Sequence, residues 1–225
     1  MSAPSNFNSR PSTLGRRSAV IALAIAASIG TLLVDTVHAQ TPATAAPTVR
    51  VRGTVVSMND TNLVVKARNG EVVDLLMADN LRISEVYLIK LEDIKPGSYI
   101  GTAAMPQADG TQKAIAVSVF PEAARGTPEG HYPFDLLPES TMTNATVDDV
   151  ATMANGANGR ALKLKYKGGE KTVVVPADAP VVTSKAGDKS LLVPGASVSL
   201  FAQELAGKPT VVRINAGRNG FALPY

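Results

Sequence analysis

The sequence contains no cysteine among its 225 residues, and its only histidines are His38 and His131. The absence of cysteine excludes disulfides, cysteine nucleophiles and thiolate metal sites, so the folded chain must be stabilised by packing. A structural zinc site needs four nitrogen or sulfur ligands, and a catalytic one usually needs several histidines. The composition therefore argues against a tight transition-metal site.

Recognisable catalytic motifs are also missing. Ser140 has no G-x-S-x-G elbow around it, and a serine triad would have to recruit His131 from an irregular segment. Asp148 and Asp149 would alternate across a strand, which places their carboxylates on opposite faces. We therefore expect a protein that is not an enzyme and that needs no cofactor.

A strong excess of charge is lacking as well. The chain has 22 cationic and 19 acidic residues, and residues 1–39 hold three of the former and one of the latter, so the remainder has a net charge of about +1. Charge therefore gives no support for a nucleic-acid or anionic-lipid partner. Three alternating lysines on one side of a predicted strand are expected to form a solvated outer face: Lys163, Lys165 and Lys167.

The N-terminal region has the pattern of a secretory signal peptide. Arg10, Arg16 and Arg17 precede an apolar run over 18–34, and Val37-His38-Ala39 supplies a small-residue cleavage site. The alternative is a membrane anchor, but the run is shorter than the ~20 residues that span a bilayer comfortably. We predict a cleaved leader over 1–39, a periplasmic or secreted mature chain without a membrane span, and a flexible linker over 40–48. The export route, general or twin-arginine, stays open.

From residue 49 onward, apolar and polar residues alternate in short segments separated by Gly, Pro and Asn turns. This pattern predicts an all-β protein. Turn signals recur at a nearly constant offset, because Gly70, Pro96-Gly97 and Gly110 are matched by Gly168, Pro194-Gly195 and Gly207, 97 or 98 residues later. We interpret this as a tandem duplication.

Five or six short strands in each half are typical of a small closed barrel. We predict a first barrel over 49–120, a strap over 121–146, a second barrel over 147–217 and a tail over 218–225 whose docking site stays open. A sandwich with strands shared between the repeats is the alternative. The predicted inward residues of the first repeat are Val55, Leu63, Val65, Val73, Leu75, Ile100, Ile115 and Val117. Those of the second are Leu162, Leu164, Tyr166, Val173, Val198, Leu200, Val212 and Ile214.

Several of these segments resemble a known repeat. They are Gly53-Thr-Val-Val-Ser57, Leu63-Val-Val-Lys66, Ile94-Lys-Pro-Gly-Ser-Tyr-Ile-Gly101 and Asp109-Gly110. They are similar to the repeat of the DUF5666-type family of uncharacterised bacterial exported proteins. The resemblance implies small OB-like barrels in tandem, and it implies no established activity or catalytic residues.

The segment between the two halves is the place where we expect a ligand site. Its regularly spaced prolines and its aromatic residues predict an ordered strap that packs at the junction of the barrels. The predicted ligand-binding residues are Arg125, His131, Tyr132, Phe134 and Asp135. An alternative metal site would use Glu129, His131, Asp135 and Glu139 as ligands for a hard or borderline cation.

The sequence thus predicts an exported, non-enzymatic binding or accessory module of the bacterial envelope. An envelope protein or a glycan is the expected partner. A weak metal-binding protein and a purely structural envelope protein are the alternatives.

Overall fold

The computed structural model describes residues 47–126, 128–152 and 159–225. The predicted leader, 1–39, and most of the predicted linker lie outside these residues. The described chain forms twelve strands: β1 Thr48–Met58, β2 Asn62–Ala67, β3 Val72–Leu88, β4 Tyr99–Pro106, β5 Gln112–Val119, β6 Gly130–Pro133, β7 Thr141–Thr152, β8 Gly159–Tyr166, β9 Gly169–Pro176, β10 Val181–Ala186, β11 Ser197–Leu205 and β12 Lys208–Gly217. Three single 3₁₀ turns occur at Leu91–Asp93, Glu122–Ala124 and Lys189–Leu191. The all-β prediction is confirmed.

The described residues contain no helix with the length and apolar character needed to cross a bilayer.

Five strands close into a barrel, the first ring, in the order β1-β2-β3-β12-β11 and back to β1. The pairing of β12 with β3 is parallel, and the other four pairings are antiparallel. A closed ring leaves no free strand edge around its circumference, because each strand has a partner on both sides.

The remaining pairings form a second ring in the order β7-β8-β9-β5-β4 and back to β7. Here too one pairing is parallel, β5 with β9, and the others are antiparallel. Strand β10 connects the rings, because it pairs with the end of β3 and with β5.

Each ring takes strands from both halves of the chain, whereas we predicted one barrel per half. The first ring combines β1, β2 and β3 with β11 and β12, and the second combines β7, β8 and β9 with β4 and β5. The long strand β3 carries the chain out of the first ring, and β9 with β10 carries it out of the second. Strands are therefore shared between the halves, as in the alternative, but within closed rings.

The buried residues confirm this exchange. Val55, Leu63 and Leu75 share a core with Leu200 and Ile214. The second core unites residues of β4 and β5 with those of β8 and β9: Ile100, Val117, Leu162, Leu164 and Val173. Most of the predicted inward residues are thus buried, but they are distributed over two mixed cores.

Four predicted inward residues do not belong to the buried core. Val73 and Tyr166 are partly buried and pack against it, whereas Ile115 and Val212 do not. The pairing of β4 with β5 passes over Ile115, and the pairing of β11 with β12 passes over Val212. A β-bulge adds one residue to a strand and shifts the alternation after it. Ala114 and Val211 consequently occupy the buried positions.

The C-terminal tail docks on the body of the protein. Leu223 is buried against Val86 of β3 and Val182 of β10, with Phe221 and Tyr225 packed around it. The Leu223 amide donates a hydrogen bond of 3.1 Å to the Ser197 hydroxyl. The tail thus covers the place where the two connecting strands pair.

Candidate functional site

The strap region has more regular structure than we predicted, since it contains β6 and the first six residues of β7. Arg125 anchors the N-terminal end of the strap. The Arg125 guanidinium donates to the Glu122 carboxylate at 2.5 and 2.8 Å and to the Gly97 carbonyl at 2.9 Å. Its cation lies 5.6 Å from the centre of the Tyr99 ring. These contacts give Arg125 a structural role at the Pro96-Gly97 turn.

Two predicted site residues on β6 hold the strap against the second ring. His131 Nδ1 lies 2.8 Å from the Thr143 hydroxyl, and the imidazole stacks on Tyr166 with ring centres 6.5 Å apart. Burial, with a smaller effect of Lys171, lowers the pKa of His131. The Tyr132 hydroxyl accepts a hydrogen bond of 2.7 Å from Asn144, and burial raises the pKa of Tyr132.

Phe134 and Asp135 reach from the strap to the first ring. Asp135 accepts a two-pronged pair of hydrogen bonds from Arg52, at 2.7 and 2.9 Å, and a longer one of 3.4 Å from Arg50. The Phe134 ring centre lies 5.1 Å from the Arg50 guanidinium carbon and 5.2 Å from that of Arg52. These two predicted site residues therefore meet two arginines that we had not predicted.

Two further residues of the first ring extend this group. Arg50 on β1 is paired with Phe201 on β11, which is paired with Arg213 on β12. Cross-strand partners project from the same face of a sheet. Both guanidinium carbons lie over the Phe201 ring, that of Arg50 at 4.8 Å and that of Arg213 at 4.1 Å from its centre.

We call this group the arginine–phenylalanine cluster; it comprises Arg50, Arg52, Phe134, Asp135, Phe201 and Arg213. The neighbours of these residues along each strand, Val51, Leu200 and Ile214, pack in the first core. Because side chains alternate along a strand, the cluster lies on the outer face of the ring.

The electrostatics of the cluster favour an additional anion. Burial, followed by repulsion from Arg52, lowers the pKa of Arg50. Burial and the nearby Arg82 lower the pKa of Arg213. Asp135 is the counterion, and its hydrogen bonds from Arg52 hold the pKa of its carboxyl below the usual value. The cluster therefore contains three arginines and one carboxylate, which contacts Arg50 and Arg52 but not Arg213.

The sequence pattern Val49-Arg-Val-Arg52 places Arg50 and Arg52 on one face of a strand, and that signal was overlooked. Phe201 and Arg213 could not have been assigned to the same face from sequence. Their proximity to Arg50 depends on the pairing of β1 with a strand about 150 residues later in the chain.

The predicted metal-binding residues are not brought together. Glu129 accepts a hydrogen bond of 2.8 Å from the Lys167 amide, Asp135 is held by arginines, and His131 contacts Thr143. Glu139 occupies a left-handed backbone position with φ of 61°. Across 47–126, 128–152 and 159–225, no three His, Cys, Asp or Glu side chains are grouped so that they could hold a metal ion.

Two other surfaces contain charged side chains with local partners. Lys163 and Lys165 are exposed, as predicted, and pair with Glu170 at 3.2 Å and Asp148 at 2.9 Å. A cleft of about 430 Å³ at one end of the first ring is lined by Asp60, Thr61, Met77, Ala78, Asp79, Leu81, Ile83, Gly187, Asp188 and Lys189. Within it, Lys189 donates to the Asp60 carbonyl and Asp188 accepts from the Ser190 amide.

Comparisons with protein-family models, curated proteins and solved structures give no significant match for this chain. Its function is therefore argued from the geometry of the cluster.

Proposed function

We propose that this protein is an exported, non-enzymatic binding module of the bacterial envelope, and that its ligand carries negative charge and binds at the arginine–phenylalanine cluster. The observation that carries the proposal is the position of Arg50 and Arg213 over one ring, with Arg213 exposed. Guanidinium groups donate several hydrogen bonds in a fixed plane, which suits carboxylates and phosphates. Export rests on the predicted leader over 1–39.

The proposed architecture is a pair of OB-like barrels of the DUF5666 type that exchange their last two strands. The five-strand order of each ring and the single parallel pairing in each support it. The matched turns support it as well, because Gly97 and Gly195 both have a positive φ, 86° and 88°. This backbone conformation favours glycine, so the recurrence has a physical cause.

The strap contributes to the proposed site from the second ring. Phe134 and Asp135 come from the strap, whereas Arg50, Arg52 and Phe201 come from strands of the first ring. A site built at such a junction is held by both rings, which limits the conformational entropy lost on binding. This arrangement fits a binding role, because guanidinium groups that pack against phenyl rings can orient an anion.

The test is the melting temperature of the chain from Gln40 to Tyr225 with a panel of compounds. The panel contains acidic and neutral peptides, acidic and neutral glycans, oligonucleotides and divalent metals. A ligand at 100 times its dissociation constant adds about 2.7 kcal/mol to stability. We expect acidic compounds to raise the melting temperature of the native protein and to have little effect on an Arg50→Gln, Arg213→Gln double variant.

Other results would favour the alternatives. A shift with metals alone, lost in His131→Ala, would replace this proposal by a metal-binding function. A response that the double variant retains would place the site elsewhere, and no response to any compound would favour a structural envelope protein.

A further inference from the structure

Half of the arginine–phenylalanine cluster is already occupied by the chain itself. Phe134 lies against the guanidinium groups of Arg50 and Arg52, and the adjacent Asp135 forms the two-pronged contact with Arg52. The side chain of Arg52 is only 10% exposed, whereas that of Asp135 is 61% exposed. This half of the cluster is thus occupied by an aromatic residue followed by an acidic one, and the acidic residue lies on the solvent side of Arg52.

The other half of the cluster also has arginines around a phenylalanine ring, but it has no carboxylate. Phe201 lies beneath Arg50 and Arg213, and Arg82 is the cross-strand partner of Arg213. Within the part of the chain that the structure describes, neither Arg82 nor Arg213 forms an ion pair. Both residues are exposed, so a partner can reach them.

We propose that this open half binds an acidic, aromatic-containing peptide segment of another protein, and that Asp135 competes with this segment for Arg50, the arginine that both halves share. The inference rests on the proposed function, because it names the ligand class of the same site. The peptide carboxylate would approach Arg213 and Arg50 as Asp135 approaches Arg52. It would relieve the repulsion among the arginines and form charge-assisted hydrogen bonds.

A peptide fits this half better than a nucleic acid or a glycan. Bases and sugar rings bind aromatic side chains through an open ring face. The Phe201 ring instead already contacts two guanidinium groups, at 4.8 and 4.1 Å from its centre. The N–H groups of the exposed arginines remain available at this surface, and they suit carboxylates.

The test uses a fluorescent peptide with the sequence Tyr-Pro-Phe-Asp-Leu-Leu-Pro-Glu, copied from residues 132–139 of the strap. Binding to the purified protein, residues 40–225, is followed by fluorescence anisotropy. The control peptide has Asn and Gln in place of its two acids. We expect the acidic peptide to bind, the control to bind about tenfold more weakly, and added salt to weaken the acidic peptide alone.

Three variants locate the site. Arg213→Gln should weaken peptide binding about tenfold, because it removes an open guanidinium. Asp135→Asn should strengthen binding about fivefold, because it removes the competing carboxylate from Arg50. Lys163→Gln, on a distant outer strand with its own partner Glu170, should leave binding unchanged. Melting temperatures of all variants verify that they are folded.

The outcomes separate this inference from the proposed function. Binding of a polyuronate or an oligonucleotide that depends on Arg213, without peptide binding, would overturn the peptide inference and leave an anion-binding module. Peptide binding that is equal in the control peptide, or weaker in Asp135→Asn, would also overturn it. If no acidic compound binds through Arg213, both proposals fail.

Discussion

The two rings share their strand order but differ in what they carry at matched positions of their outer faces. In the first ring the row across β1, β11 and β12 is Arg50, Phe201 and Arg213. In the second ring the row across β7, β4 and β5 is Met142, Ala103 and Ala116. Both alanines are buried, at 1% exposure, whereas Arg213 is exposed.

This difference shows which positions the fold determines and which it leaves free. The inward positions are apolar in both rings, and bulges occur at matched places, Val212 in the first ring and Ile115 in the second. Outer positions have no such requirement, so one ring can use small side chains for packing and the other can present guanidinium groups. Function is expected where the two rings differ.

The two rings also differ in the strand that pairs with their first strand, β7 or β1. Strand β6 pairs with the start of β7, from Thr141 to Asn144. The matched stretch of β1, Val49 to Arg52, pairs with β11 on one side and has no described strand on the other. The strap thus gives the start of β7 a second strand partner, which the arginine-bearing start of β1 lacks.

The largest effects are expected in the two cores. Leu164 belongs to the second core and Leu200 to the first, and both are fully buried. Replacing either by Ala should lower the free energy of unfolding by about 3–4 kcal/mol. Because the chain passes back and forth between the rings and β10 pairs with a strand of each, each variant should unfold in one transition during urea denaturation followed by circular dichroism. Two separate transitions would show that the rings unfold independently.

A smaller effect is expected at a matched pair of β1 and β7 positions, Gly53 and Ala145. A Cβ added to Gly53 would collide with the Lys66 carbonyl oxygen and would lie 2.8 Å from a methyl group of Val65. Gly53→Ala should therefore destabilise the protein by about 2–3 kcal/mol, measured by urea denaturation. Ala145→Gly is the matched control and should cost about 1 kcal/mol. If Gly53→Ala left the free energy of unfolding unchanged, this result would contradict the close approach of β1 and β2.

A substitution in the C-terminal tail tests whether the tail stabilises the connection between the two rings. Leu223 is 4% exposed and packs on Val86 and Val182, which lie on the strands that leave the two rings. Leu223→Ala should cost about 2 kcal/mol, at the low end for buried leucines because a terminal segment can relax. The exposed Leu205 supplies the control, and its replacement by Ala should change the melting temperature little. A similar loss in both variants would argue against tail docking.

The smallest effect on stability is expected at Asp135, and it depends on pH. Arg52 holds the pKa of Asp135 below its unfolded value of about 3.9. The stabilisation is therefore present above that unfolded value and is lost as the pH falls through the lower, folded value. Asp135→Asn should cost about 1 kcal/mol at pH 7, and the difference from the native protein should shrink in the acid range. A difference that stays constant down to pH 2 would show that Asp135 does not act through its charge.

The local features of the fold could be predicted from sequence, because each has a local cause. Alternation gave the strands, and turn residues such as Gly70 and Gly110, both with positive φ, gave their ends. The identity of the paired strands has no local cause. Strands β4 and β5 have nearly the same pattern as β11 and β12, so the sequence permits either pair to complete either ring.

The same reasoning explains which parts of the site were found. Phe134 and Asp135 were predicted because they stand out within an irregular segment of the chain. Phe201 and Arg213 look like ordinary surface residues of strands until β1 is placed beside β11. A bulge such as that at Ile115 also leaves no clear sequence signal, because an added residue in an apolar run resembles its neighbours.

The exchange of strands has a consequence for the order of events in folding. The three strands β1 to β3 can pair as soon as they meet, since only short turns separate them. Closure of the first ring must wait for β11 and β12, and the contact of Thr48 with Gln203 joins residues 155 positions apart. Such distant contacts raise the entropic barrier to folding and slow the rate. Until the last strand arrives, the edges of β1 and β3 remain unpaired, and the arginines and Phe201 that form the cluster lie on separate parts of the chain.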